Sequence, residues 1–138
     1  MGLVLYTGVC GVLSLLAQII LHFTITKPSG AAAEMALKNG PFRDLSSPLM
    51  LYFFLCAPTV QALATYTLAS SFFGANTVAG WSDEEAVRFT VSLWAATSAH
   101  GILLDYTTFR ISPRILVHFW VGSLTTAAII GVAMARCL

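Results

Sequence analysis

The residues with the clearest chemical potential are the neighbouring Asp105 and Tyr106, which are followed by Arg110 and Arg114. They come at the end of a long apolar stretch, where a spanning helix would reach the membrane–water interface. A tyrosine there can donate a hydrogen bond to a quinone carbonyl, and an adjacent aspartate can fix or relay the proton. An arginine can hold the anionic intermediate. These four residues are therefore a candidate quinone-binding site.

Four apolar stretches would position these residues, at 2–24, 48–74, 83–107 and 113–137. Hydrophobic residues make up 57% of the 138 residues and charged residues only 9%, too apolar a composition for a soluble domain of this size. A bilayer core about 30 Å thick is crossed by roughly 20 apolar residues in a helix. The sequence thus predicts an all-α integral membrane protein. It would be a four-helix bundle, one transmembrane domain over residues 1–138, with both termini on the same side.

Three of the predicted spans begin with residues that favour a helix start. Ser47-Pro48 and Ser112-Pro113 each place a capping serine before a proline at the first helical position, where its missing N–H costs nothing. Ser82 and Glu85 have the spacing of a capping box. In the loop between the first two spans, residues 31–38 are predicted to form at most a short interfacial helix.

Two helix faces carry small or polar residues at intervals of three and four. On the first span they are Gly11, Ser14, Gln18 and His22, and Thr7 lies on the same face. On the last span they are Ser123, Ala127, Gly131 and Ala135. Because hydrocarbon cannot satisfy an amide, the first face is predicted to pack against protein, or to form a polar groove for a head group or ligand. The second face is predicted to let another backbone approach closely.

Basic residues are distributed unequally between the two sides of the predicted bundle. Two of them, Arg88 and Arg136, lie on one side. Five lie on the other, namely Lys27, Lys38, Arg43, Arg110 and Arg114. The positive-inside rule therefore places loops 25–47 and 108–112 on the cytoplasmic side, or on the matrix side of an organelle. The net charge of +1 implies no nucleic-acid partner.

Histidine and cysteine spacing predicts no metal site within one helix. No histidine has a second one three or four residues away. His100 and His118 are still candidates for one axial ligand of a haem held between helices. The three cysteines lack C-x-x-C spacing and are predicted to be buried small residues: Cys10, Cys56 and Cys137.

The Asp105-Tyr106 pair resembles the end of the second helix in the small membrane-anchor subunit of succinate dehydrogenase (complex II). In that family the tyrosine contacts ubiquinone, and a histidine about three turns earlier ligates haem b. This chain has Trp94 at the histidine's place, and four predicted spans where the family has three. The resemblance implies a respiratory-chain protein of the mitochondrial inner membrane, with ubiquinone or haem b as cofactor.

Three functions follow from these patterns. The first is a structural or anchoring subunit of a mitochondrial respiratory-chain complex, not catalytic by itself, with other membrane subunits and bound lipids as partners. The second is the quinone- or haem-site anchor of succinate dehydrogenase. The third is a small membrane enzyme or carrier that acts on a lipid-like substrate in the groove of the first span.

Overall fold

The fold is known from a computed structural model that describes residues 2–36, 48–108 and 111–138, without the side chains of 48–51 and 53. All regular structure within these ranges is helical, with no strand. The helices are α1 (Gly2–Leu21), α2 (Ala31–Met35), α3 (Pro48–Phe73), α4 (Ala75–Val78), α5 (Asp83–Trp94), α6 (His100–Thr108) and α7 (Pro113–Cys137). Two π-helical turns, His22–Thr26 and Ala95–Ala99, extend α1 and join α5 to α6. The all-α prediction is confirmed for these parts of the chain.

The helix ends follow the local signals of the sequence. The Ser82 side chain accepts a hydrogen bond from the Glu85 N–H, and the Glu85 carboxylate accepts one from the Ser82 N–H, which completes the predicted capping box. Ser112 caps α7 by accepting from the Ile115 N–H. Gly74 ends α3 with φ of +84°, a left-handed conformation that favours glycine. Ser47, the predicted cap of the second span, lies outside the described residues.

The four long helical segments form an arc and not a closed square. In the part of the chain that the structure describes, α1 packs along both α3 and α7, and α5 packs along the other side of α7. No extensive packing joins α3 to α5 within those residues. A gap lined at its base by α7 therefore separates the two outer helices along most of their length, while the Phe73 and Phe89 rings meet edge-on at one end of it.

Opposite ends of the molecule are fixed by contacts between distant residues. At one end, a methyl group added to Gly2 would lie 3.1 Å from the Cys137 carbonyl oxygen, so both termini lie together. At the other end, Ser112 Oγ donates to Glu34 Oε2 at 2.7 Å and so joins α2 to the start of α7. The helices of the arc therefore alternate in direction.

At Gly131, which has no side chain, α7 lies in very close contact with α5. A methyl group added there would lie 2.6 Å from Thr90 Oγ1 and 2.7 Å from Cα of Val87. Ala127, one turn earlier on the same face, is buried as well. This small-residue face therefore packs helix against helix, in the way that small residues do in membrane proteins.

Two helical segments of the described chain, Gly2–Thr26 and Pro113–Cys137, are long and apolar enough to cross a membrane by length and composition. The segment from α5 to α6 is as long, but its middle is polar, with Thr97, Ser98 and His100. The structure thus shows an all-helical protein with two candidate spanning helices. The predicted bundle of four spanning helices stays a prediction.

Candidate functional site

Asp105 and Tyr106 lie exposed near the end of α6. The Tyr106 side chain is 40% exposed, and within the described residues neither side chain has a hydrogen bond or ion pair. Arg114 is exposed in the first turn of α7, next to Gly30, and Arg110 lies outside the described residues. The tyrosine hydroxyl is thus free to meet a ligand or partner, and the candidate quinone site stays a prediction.

The two candidate haem ligands have different surroundings. His118 is half-buried, and its Nδ1 lies 2.6 Å from Thr26 Oγ1, so one ring nitrogen joins α7 to the π-helical turn after α1. His100 is exposed at the start of α6. The described ranges hold no group of three or more histidine, cysteine or acidic residues that could bind a metal ion. Haem ligation by either histidine stays a prediction.

The small and polar face of α1 lies against α3 and α7. A methyl group added to Gly11 would lie 2.6 Å from Thr59 Oγ1, and Ser14 is fully buried with its hydroxyl unpaired among the described residues. Gln18 Nε2 donates to the Gly122 carbonyl at 3.0 Å and so joins α1 to α7. His22, half-buried, packs edge-on against the Phe23 ring.

A cleft of about 240 Å³ occupies the gap between α3 and α5. One wall is the face of α3 that carries Gln61, Ala64, Thr65 and Leu68. The cleft lies about half-way along the 26-residue helix α3. None of its lining residues is charged. Clefts with a few polar groups in an apolar surface are the usual form of small-molecule sites.

The opposite wall is the junction of α5 with the π-helical turn Ala95–Ala99. It presents Trp94, Thr97 and Ser98, and Ala127 and Ile130 of α7 form the floor. Short π-helical insertions within α-helices are frequent at functional sites. Here the insertion lies directly on the cleft wall.

The polar groups of the cleft divide into paired and unpaired ones. Thr97 Oγ1 donates to the Leu93 carbonyl at 2.7 Å, and Trp94 Nε1 donates to Ser123 Oγ at 2.9 Å. The side chains of Gln61, Thr65 and Ser98 have no hydrogen-bond partner in the described parts of the chain. The cleft therefore offers one amide and two hydroxyls to a bound molecule.

The sequence analysis did not predict this cleft, because the polar groove that it predicted lies on the first span. The signal was present as Gln61 and Thr65, one turn apart in the middle of an apolar stretch, and Ser98 in another. These three side chains come together only through the arrangement of three helices, which a single sequence does not reveal.

The predicted burial of all three cysteines is wrong, since Cys56 is exposed.

Comparison of the chain with protein-family models, with curated proteins and with solved structures found no match.

Proposed function

We propose that the chain is an integral membrane protein with four spanning helices, and that it acts as a non-catalytic subunit of a larger membrane assembly. The two apolar segments Gly2–Thr26 and Pro113–Cys137 support membrane insertion. The 26 residues of α3 include no charged residue, and at 1.5 Å per residue they extend for roughly 39 Å. Such a helix is long enough for a bilayer core of about 30 Å.

The observation that carries the proposal is the outer face of α3. This face points away from α1, and its large members Tyr52, Val60 and Leu63 are 65%, 65% and 45% exposed. Exposed smaller residues continue the same face at helical spacing: Cys56, Thr67 and Ser71. The face therefore combines large apolar side chains with small or hydroxyl-bearing ones.

Small and hydroxyl-bearing residues on a membrane helix are typical of contacts with another helix, because they allow close approach of two backbones. The Thr67 and Ser71 hydroxyls are already paired within α3, since Thr67 donates to the Leu63 carbonyl at 2.9 Å and Ser71 donates to the Thr67 carbonyl at 2.7 Å. A partner helix can therefore cover them without leaving a polar group unsatisfied. We infer that another membrane subunit binds to the outer face of α3.

The proposal also includes the orientation of the chain and the membrane in which it lies. The five-to-two distribution of basic residues favours a matrix or cytoplasmic position for the connections at 25–47 and 108–112. Placement in the respiratory chain of the mitochondrial inner membrane rests on the Asp105-Tyr106 pair alone.

The test is migration on a native gel after solubilisation in mild detergent. The natural chain is expected in a band much larger than its own mass, and mass spectrometry identifies the proteins in that band. Leu63→Trp on the outer face of α3 should release the chain from the band. Leu16→Trp, on an exposed part of α1, is the matched control and should not. Migration of the natural chain as a free monomer or homo-oligomer would contradict the proposal.

A quinone-site anchor of succinate dehydrogenase is the second candidate, and the unpaired Tyr106 hydroxyl at the end of α6 favours it. Tyr106→Phe is then expected to lower quinone reduction, while assembly and succinate oxidation with artificial acceptors stay intact. Absence of the succinate dehydrogenase subunits from the native-gel band would rule this candidate out.

A further inference from the structure

We propose that the cleft between α3 and α5 binds one uncharged lipid through a small oxygen-bearing head group, with the hydrocarbon tail leaving between the two helices. This inference goes beyond the proposed role as a subunit. It rests on the charge and volume of the cleft, on its unpaired polar groups, and on its opening.

Charge and volume select the head group. The cleft lies half-way along the helices and no lining residue is charged, so a phosphate or carboxylate there would have no counter-ion at bilayer depth. A volume of about 240 Å³ is less than the roughly 300–1,000 Å³ of sites for drug-sized ligands. It is also far too small for a helix, which is about 10 Å across with its side chains. A hydroxyl or carbonyl group with a few adjoining carbons is the matching size.

The unpaired polar groups of the cleft favour a ligand that forms hydrogen bonds. The Gln61 amide has both donors and an acceptor, and the Thr65 and Ser98 hydroxyls can act as either. They lie on two facing walls, so an alcohol or carbonyl between them can bond to both. Left empty in hydrocarbon, the cleft would hold polar groups without partners, which is unfavourable.

The opening of the cleft between α3 and α5 favours a ligand with a hydrocarbon tail. Ala64, Leu68 and Leu93 provide an apolar lining beside the polar groups, and the described parts of α3 and α5 have no extensive packing against each other along the cleft. A chain of methylene groups can therefore pass from the cleft into the surrounding acyl chains. The predicted ligand class is a long-chain alcohol or ketone.

The binding experiment uses the purified full chain in phosphatidylcholine vesicles and a hexadecanol analogue with a photoreactive diazirine close to the hydroxyl. Irradiation and peptide mapping are expected to find cross-links within residues 61–68 and 90–98, and an excess of unlabelled hexadecanol should abolish them. The matched hexadecyl sulfate probe, whose head group stays charged at the working pH, should label these peptides about tenfold less, because the cleft offers it no counter-ion. Labelling that unlabelled hexadecanol does not reduce, or equal labelling by the sulfate, would overturn the proposal.

Three variants locate the site. Gln61→Leu retains a side chain of intermediate size but removes its amide, and should lower cross-linking by about tenfold. Ala64→Trp fills the cleft and should abolish the cross-links. Leu63→Trp, the neighbouring residue on the outer face of α3, should leave them unchanged. Circular dichroism verifies that each variant retains its helices. Full labelling of a folded Gln61→Leu or Ala64→Trp variant would refute the proposed cleft.

The same variants separate this proposal from the subunit role. Leu63→Trp should release the chain from its native-gel band without loss of hexadecanol labelling. Gln61→Leu should lose labelling without leaving the band. Retention of Leu63→Trp in the native-gel band contradicts the subunit role. Full hexadecanol labelling of Gln61→Leu contradicts the lipid site.

Discussion

Arg136, in the last turn of α7, forms a two-point ion pair with Asp83, the first residue of α5. Its Nε donates to Asp83 Oδ1 at 2.8 Å, and its terminal nitrogen donates to Oδ2. The pair joins residues 53 positions apart, at the end of the molecule where both termini lie. Asp83 therefore serves both as an acid at the positive end of a helix dipole and as an anchor for the last helix.

The first prediction concerns this ion pair. Because the Arg136 and Asp83 side chains are 71% and 42% exposed, water weakens their attraction, and Asp83→Asn should lower the free energy of unfolding only slightly. The charge swap Asp83→Arg with Arg136→Asp should recover part of that loss. Thermal unfolding in detergent followed by circular dichroism measures both. Asp83→Arg and Arg136→Asp are also measured singly, and a larger loss for the swapped variant than for either of them would contradict the pairing.

The second prediction concerns the close contact at Gly131. Gly131→Ala should destabilise the protein by about 1–3 kcal/mol, because its methyl group would meet the backbone of Val87 and push α5 away from α7. Gly8→Ala is the matched control, since no atom lies within 4 Å of the added methyl group. It should be neutral or slightly stabilising, because alanine favours a helix more than glycine does. Equal stability of the two variants would mean that the helices do not approach so closely.

Local features of the fold could be predicted from the sequence because they depend on neighbouring residues. The capping box of Ser82 and Glu85 and the cap at Ser112 need only three or four residues to form, and the structure contains both. The close approach of another helix to α7 could be foreseen as well, because the spacing of Ala127 and Gly131 marks a face with no bulky side chain, but the identity of that helix as α5 could not.

The cleft could not be predicted, because its walls come from segments that are far apart in the chain. Gln61 and Ser98 share it only because α3 and α5 both pack around the α1–α7 pair without extensive packing against each other. The π-helical turn Ala95–Ala99 also lacks a sequence signature, since alanine, threonine and serine occur in ordinary helices. Hydrophobic patterns predict which segments are helical, but not which polar residues of separate helices come together.

The third prediction concerns the hydrogen bond between Gln18 and Gly122. Gln18→Leu removes the Nε2 donor to the Gly122 carbonyl and to Thr126 Oγ1. It should lower the free energy of unfolding by about 0.6–1.7 kcal/mol, between the mean and the largest value for interhelical hydrogen bonds in a membrane protein. A double-mutant cycle with Thr126→Val separates the two acceptors. Additive effects would show that the Thr126 bond, at 3.4 Å, contributes nothing.

The last prediction concerns the path of the chain across the membrane. Ala33, on α2, and Asn76, on α4, are both exposed, and they lie near opposite ends of the molecule. In a variant without the natural exposed cysteines, Ala33→Cys and Asn76→Cys provide one reactive thiol each. If the basic connections face the matrix, a membrane-impermeant maleimide added to mitoplasts should label Asn76→Cys at once and Ala33→Cys only after permeabilisation. The reverse order would invert the orientation, and labelling of both sites before permeabilisation would mean that the helices between them do not cross the membrane.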